Sequence, residues 1–486
     1  MDSGKSKIFK QQGQAIIYIV IFVGVLSLAV AYVFNSIQIS NEKTRLQNTV
    51  DAAAYSVAVV EARDLNFKAY TNRAMVANHA AIAQAVSLTS WIRFLDVSAG
   101  NIADYTKIIP YVGTVTSAIE GIVGAIKQVM EPILQGVATA IDSVITLLQE
   151  SQHAMQSATL VIAAETLDQV VSANDPDVDK SIALSDLYLM KDYVTRHNNY
   201  TRRFDPDSVR SGSRGSTNYE QNRARLEEFR DTTLKSTDGF TQKRNDDIPV
   251  IPNIYTFPVQ WDIRRGGGTT LVGENNNAQY GSWVAMDTLS IHSRIFRCSF
   301  TSGCRWRGWN EIIPIGWGAA KNARGAEDIR FSRFSRSPMY RNSWDVNPWA
   351  SSIAASNYQN EDEVESGKDY LGLRSFYDLT LDGLMTKGPG IKLILGKPAN
   401  KVRTTSQLGT NSGSLNIEEK RGMSGARLAA FSHATSYFAR QNDVGGFQRG
   451  TGVREYGNLY NPYWLAKLES ISAVQKLQLQ AIAKKY

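Results

Sequence analysis

The chain has 486 residues, 43% hydrophobic and 20% charged, with a net charge of +7. This is long enough for about two to four domains. The balance fits a folded body on a single anchor and excludes a multi-span membrane protein, which would need further long apolar runs. The positive charge is spread along the chain, with one concentration between Lys321 and Trp344.

From Ala15 to Phe34 there are 20 residues without a charge, and about 20 are needed to cross a ~30 Å hydrocarbon core. Lys5, Lys7 and Lys10 precede the run and only Asp2 opposes them, so residues 1–13 are expected on the cytoplasmic side and the bulk of the chain beyond the inner membrane. The run is too long for a secretory signal core and Phe34-Asn35-Ser36 is a poor cleavage site, so it reads as an uncleaved transmembrane helix over residues 14–36. The other apolar stretch, Val112 to Leu148, is interrupted by Lys127, Glu131, Pro132 and Asp142 and reads as a buried or oligomerising helix.

Neither Gly nor Pro occurs from Asn35 to Val60, so the helix continues into water. Val50, Ala54, Val57 and Ala58 keep a helical period, and their small side chains suit close packing with another helix. Pro110 to Gly113 is a turn signal, and a second helical region follows from Thr114 to about Ala173, giving a long α-hairpin over residues 37–175. Asn174 to Asp177 breaks it. Residues 176–248 read as a helical connector with amphipathic stretches at Ser185–Asn198 and Tyr219–Leu234.

Beyond Pro249 the texture changes. Pro258, the Gly266-Gly267-Gly268 triplet and Gly281 punctuate β-branched and aromatic runs, which reads as an antiparallel β-rich domain over residues 249–420. The runs are Ile254 to Ile263, Tyr280 to Met286, Ser290 to Cys298, Cys304 to Ile313, Ser375 to Leu381 and Gly390 to Leu395. Cys298 and Cys304, six apart across Ser302-Gly303, are expected to form a disulfide in an oxidising compartment. Residues 421–486 hold Leu428 to Arg440, readable as strand or helix, and a closing helix from Tyr463 to Lys485 with Leu465, Leu468 and Ile471 on one stripe.

Catalytic and binding motifs mostly fail. Gly390 to Pro398 has the wrong glycine spacing for a phosphate loop. Asp96-Val-Ser98-Ala-Gly100 ends on glycine where a metal-adhesion motif needs a hydroxyl. Asp175, Asp177 and Asp179 space like calcium ligands, but Lys180 stands where the loop needs glycine; a solvated helix cap is the plainer reading. His79, His153 and His197 read as surface or packing residues. Arg330, Arg333, Arg336 and Arg341, interleaved with Phe331, Phe334, Tyr340 and Trp344, form a candidate polyanion or partner surface. Nothing asks for a cofactor or an enzyme, and nucleic acid is not the expected partner.

Gly13-Gln14, the uncharged run Ala15 to Phe34, Leu46-Gln47-Asn48 and Asp51-Ala52-Ala53-Ala54 together resemble the N-terminal domain of the Tad (Flp pilus-assembly, TadE/TadG-like) family. Ala62 to Gln84 and Asn458 to Trp464 look like the continuation and C-terminal end of larger TadG-like proteins. The resemblance implies a membrane-anchored, non-catalytic component of a Tad type IV pilus, minor pilin-like or scaffold. Its partners would be other pilus subunits reached through the N-terminal helix, or further copies of itself. It also implies Gly13 as a processing position, although Tyr18 stands where the family's processed members carry glutamate. The alternative is a surface-exposed adhesin or polyanion-binding module on the same anchor.

The expected class is therefore α+β: one N-terminal transmembrane helix continuing into a long helical hairpin, then an antiparallel β-rich domain and a C-terminal helix.

Overall fold

The computed structural model describes residues 14–109, 111–180, 187–211, 213, 215–244, 254–272, 282–299, 303–322, 347–358, 372–380, 387–398, 401–402, 427–440, 456–474 and 477. A single helix, α1 (Gln14–Thr106), runs through the lipid-length run and on for a further 72 residues. At 1.5 Å per residue its length is about 140 Å. After a turn in which Tyr111 adopts φ 66°, α2 (Val112–Asn174) returns along it with Pro132 inside. Thr106 bonds Thr116, Asp96 bonds Lys127, and Asn72 bonds Gln152. Arg45 reaches the carbonyl of Asn174. The two helices are thus antiparallel over most of α2.

The connector contains α3 (Leu187–Tyr200), strand β1 (Thr201–Phe204), the short α4 (Pro206–Ser211), α5 (Thr217–Ser236) and α6 (Gly239–Gln242). Ser216 caps α5 by accepting from the Tyr219 amide, which satisfies one of the orphan donors of its first turn. Strand β1, which the sequence reading missed, pairs antiparallel with β7 (Phe376–Leu379).

Two larger antiparallel sheets lie along α1. The first has β2 (Ile254–Thr256), β3 (Val259–Val272), β4 (Ser282–Ser299) and β5 (Gly303–Trp306) in that order, with β6 (Asn310–Asn322) also on β4. The second has the order β10 (Trp464–Leu468), β9 (Arg427–Phe438), β8 (Lys387–Pro398). Helix α7 (Pro348–Tyr358) packs its Ala354 and Tyr358 on Val284, Met286 and Ala319 of the first sheet.

The β-rich texture is confirmed, with antiparallel pairing throughout, but three details change. The Gly266-Gly267-Gly268 triplet lies inside β3 and does not break it. A Cβ on Gly267 would sit 2.4 Å from Asp287 Oδ1, so the glycines make room for a buried ion pair beneath the strand. The runs around Tyr280–Met286 and Ser290–Cys298 are one strand, β4. The closing helix fails where it was to begin: Trp464 to Leu468 is strand, paired with Phe438 to Ala434, and helix is described only at Ala473, Val474 and Leu477. Long-range pairing to β9 overrides the apolar period that Leu465 and Leu468 suggested.

Candidate membrane segment and buried polar spine

The two halves of α1 meet opposite environments. Ile16 to Phe34 leave their large apolar side chains open, between 41% and 73% exposed. Burial begins at Asn35 and continues through Glu42, Leu46 and Val50. Ala15 and Phe34 therefore bound the exposed run, while Gln14 opens the helix and Gly13 lies outside the described residues. An uncovered apolar cylinder of this length has the dimensions of a bilayer core.

The alanine face behind it is not free for partners. Leu46, Val50, Ala53, Ala54, Val57 and Ala58 are covered by this chain's own Ala163, Leu167 and Val171 of α2, Ile391, Leu393 and Leu395 of β8, and Ala430 and Ala434 of β9. Small residues there let two helices and a sheet converge on one line. A partner meeting the N-terminal helix has the exposed run before Asn35 to dock on.

Further along, α1 carries polar side chains inward and uses them to hold strands by their backbones. Gln47 donates to the Phe431 carbonyl of β9. Asn66 donates to the Trp464 carbonyl and accepts from the Trp464 amide, fixing β10. Asn72 donates to the carbonyls of Tyr377 and Leu459. Arg93 and Asn101 reach the carbonyls of Ala319 and Ile315 in β6.

Between these clamps lies a buried charged cluster. Lys68 bonds Asp64 at 2.5 Å, the side chain of Gln156, and Thr201 at 3.4 Å, and it sits over the Tyr377 ring. Glu61 accepts from the Tyr193 hydroxyl and faces His197 Nδ1 at 3.1 Å. His197 Nε2 faces the Gln156 carbonyl at 3.1 Å. Two acceptors on two ring nitrogens suit the doubly protonated imidazolium. Burial pulls its pKa down, but the hydrogen bond and charge of Glu61 outweigh that and leave it raised. Of the two readings, surface or packing, His197 takes the second: it is buried in the core.

Glu61, Asp64 and His197 stand close enough to hold an ion among the described residues. The ammonium of Lys68 already neutralises Asp64, however, and the donors fit an internal charge network better than a metal centre. Near the start of the buried part of α1, Lys397 bonds Glu42 at 2.6 Å and Asp175 at 2.9 Å, all three buried. Asp175 is accordingly an ion-pair partner and not a solvated cap; Asp177 pairs with Lys401, and the backbone amide of Asp179 donates to the Gly396 carbonyl. The same Lys397 belongs to the stretch that mimicked a phosphate loop, which is strand β8.

His79 differs from His197. Both its nitrogens lack a partner, and its ring meets Phe229 edge-on at 6.1 Å. Burial, helped by the charge of Arg374, drives its pKa from 6.5 to about 3. A pKa lowered on folding means that the unfolded chain binds more protons between those values, so stability present above pH 6.5 is lost as pH falls. A His79→Leu variant is expected to gain on the wild type by about 2–3 kcal/mol at pH 4.5 relative to pH 7.5, measured by chemical denaturation at both pH values. An unchanged difference would refute the assignment.

Cys298 and Cys304 face each other across β4 and β5 and are bonded. Asp96 pairs with Lys127 and Ser98 bonds its own helix, so neither prepares a metal site. His153 is exposed and meets the Tyr377 hydroxyl. Arg330, Arg333, Arg336 and Arg341 lie outside the described residues.

Residues 13–60 match the family model of the Flp pilus-assembly TadE/G-like proteins, Tad. Over these residues the chain is similar to a TadE/G-like N-terminal domain. The matched Tad segment covers the exposed run and the first part of the buried rod, ending beside Glu61 where the polar cluster starts. No curated protein and no solved structure matches the chain. The matched family is one of Flp pilus assembly, and the open run within the match is long and apolar enough to cross a membrane.

Proposed function

We propose that this protein is a single-pass, membrane-anchored structural component of a Tad pilus apparatus, with its N-terminus cytoplasmic and its two sheets on the far side of the inner membrane. The observation that carries this reading is the continuity of the Tad segment. The same helix that offers an uncovered apolar run up to Phe34 becomes, from Asn35 on, the core of the folded body. An anchor built this way transmits position and force to the body without a hinge, which suits a scaffold or a minor pilin-like subunit.

Placing an arginine at the centre of the run tests the anchor. Val23→Arg costs about 2.5–3.5 kcal/mol at a helix centre, so carbonate-extracted membranes should retain far less of the variant. Full retention would refute the reading. N-terminal sequencing of protein from membranes and from sheared filaments separates the two structural roles: a chain cut after Gly13 and recovered in filaments is a minor pilin, and an intact chain confined to membranes is a scaffold. Neutralising Arg330, Arg333, Arg336 and Arg341 together is expected to leave pilus assembly intact.

A further inference from the structure

Helix α2 has two apolar faces, and among the described residues only one is covered. Leu134, Ala138 and Ile145 are buried within the chain. On the other side Val112, Val115, Ile119, Ile122, Ile126, Val129 and Ile133 follow one another at alternating steps of three and four residues, each between 42% and 62% exposed. That alternation is the 3.5-residue period of a helix–helix seam, sustained for three heptads. The charged residues of the stretch point away from it: Glu120 reaches toward Gly100 of α1, Lys127 bonds Asp96, and Glu131 accepts from Arg93. Flanking the seam are Ala118, Val123, Ala125, Met130 and Pro132, none of them charged.

We propose that this stripe is a homotypic interface, at which α2 of one copy packs in register against α2 of further copies of the same chain. The period demands a helix as occupant. In such seams, charges at the flanking positions choose a foreign partner; here they are missing, so nothing selects against the chain's own copy, which presents the same apolar row. With about half of each side chain in water, seven residues and the small ones between them offer on the order of 800 Å² per partner, the size of a standard interface. Because every seam position is β-branched, including Val115, Ile122 and Val129 where leucine would favour pairs, three or more helices are expected to associate. The bilayer is out of reach: measured along α1, the seam lies about 85–110 Å beyond Phe34. That last point rests on the anchor reading above, whereas the spacing, charge pattern and area do not.

The test uses the full chain. Native Cys298 and Cys304 are bonded to each other, so a single added cysteine reports on contact. In membranes, Ile122→Cys should give a disulfide-linked species of twice the chain mass under mild oxidation, and Gln128→Cys, off the seam on the same helix, should not. In detergent, light scattering should find the wild type at three or more chain masses and Ile119→Glu/Ile126→Glu at one, with the same melting temperature, since these side chains are exposed. A monomeric wild type, a double variant that keeps the wild-type mass, or equal cross-linking at both cysteines would overturn the interface. A wild type that stays monomeric while only the double variant loses flotation with vesicles would assign the stripe to lipid instead, which also overturns it. If the anchor reading fails, carbonate alone releases the protein, and the mass comparison still decides the interface.

Discussion

A Lys68→Met substitution is expected to remove about 3–5 kcal/mol of stability, the cost of leaving a buried partner charge uncompensated. Lys68 is fully buried, and its ammonium bonds Asp64, Gln156 and Thr201 at the point where α1, α2 and β1 meet. The other oxygen of Asp64 has no hydrogen-bond partner, and the nearby His197 is already engaged by Glu61. Against a typical total of 5–15 kcal/mol this loss is large, and it should show as a lowered denaturant midpoint with an unchanged slope. Lys68→Met combined with Asp64→Leu removes both charges together and is expected to recover most of the loss. If the double variant is no better than the single one, the pair is not what Lys68 is needed for.

Gly318→Ala should be comparably severe for a different reason. Strand β6 crosses α1 so closely that a Cβ at Gly318 would sit 2.3 Å from both the Phe94 nitrogen and the Ser90 carbonyl oxygen. Backbone atoms of a packed helix cannot step aside as a flexible side chain can. Overpacking of this kind costs 1–3 kcal/mol or more, so a loss of about 3 kcal/mol is expected, with the first sheet loosened from the helix. Gly308→Ala, where an added Cβ meets nothing within 4 Å, should leave the melting temperature within a degree or two. Equal effects at the two positions would show that close approach of helix and strand is not the cause.

The elements that local pattern governs were legible in the sequence. The apolar run, the unbroken helix after it, the turn near Gly113, the stretches within α3 and α5, and most strands beyond Ile254 follow from period, Gly and Pro. What was not legible depends on partners distant in the chain. Trp464 to Leu468 has a helical apolar spacing, yet Asn66 and β9 draw it into a sheet. Strand β1 is only four residues long and exists because β7 lies opposite. Asp175 looked like a solvated cap because Lys397 is 222 residues away.

The buried cluster left one signal that could have been read. Glu61, Asp64, Lys68, Thr71, Asn72 and His79 recur at the spacing that places residues on one helix face, in phase with the apolar positions around them. A polar row in phase with an apolar stripe is a row that faces inward, and its members must find one another. The Tad resemblance was carried by residues on the exposed and alanine-rich segments, where composition alone is distinctive.

The unbroken helix across the edge of the apolar run has a rotational consequence. If the apolar run is the anchor proposed above, then with no joint between Phe34 and Asn35 the azimuth of the whole body about the bilayer normal is set by the count of residues in one rod, at about 100° per residue. Every copy in a membrane therefore presents its α2 stripe at the same angle to its own lipid-facing side. Inserting seven residues after Phe34 would turn the body by about 20° from its original heading and raise it by about 10 Å, leaving neighbouring copies nearly in phase with their anchors. Inserting two would turn it by about 200° and point the stripe to the opposite side. An anchor of this kind is a phase reference as well as a tether.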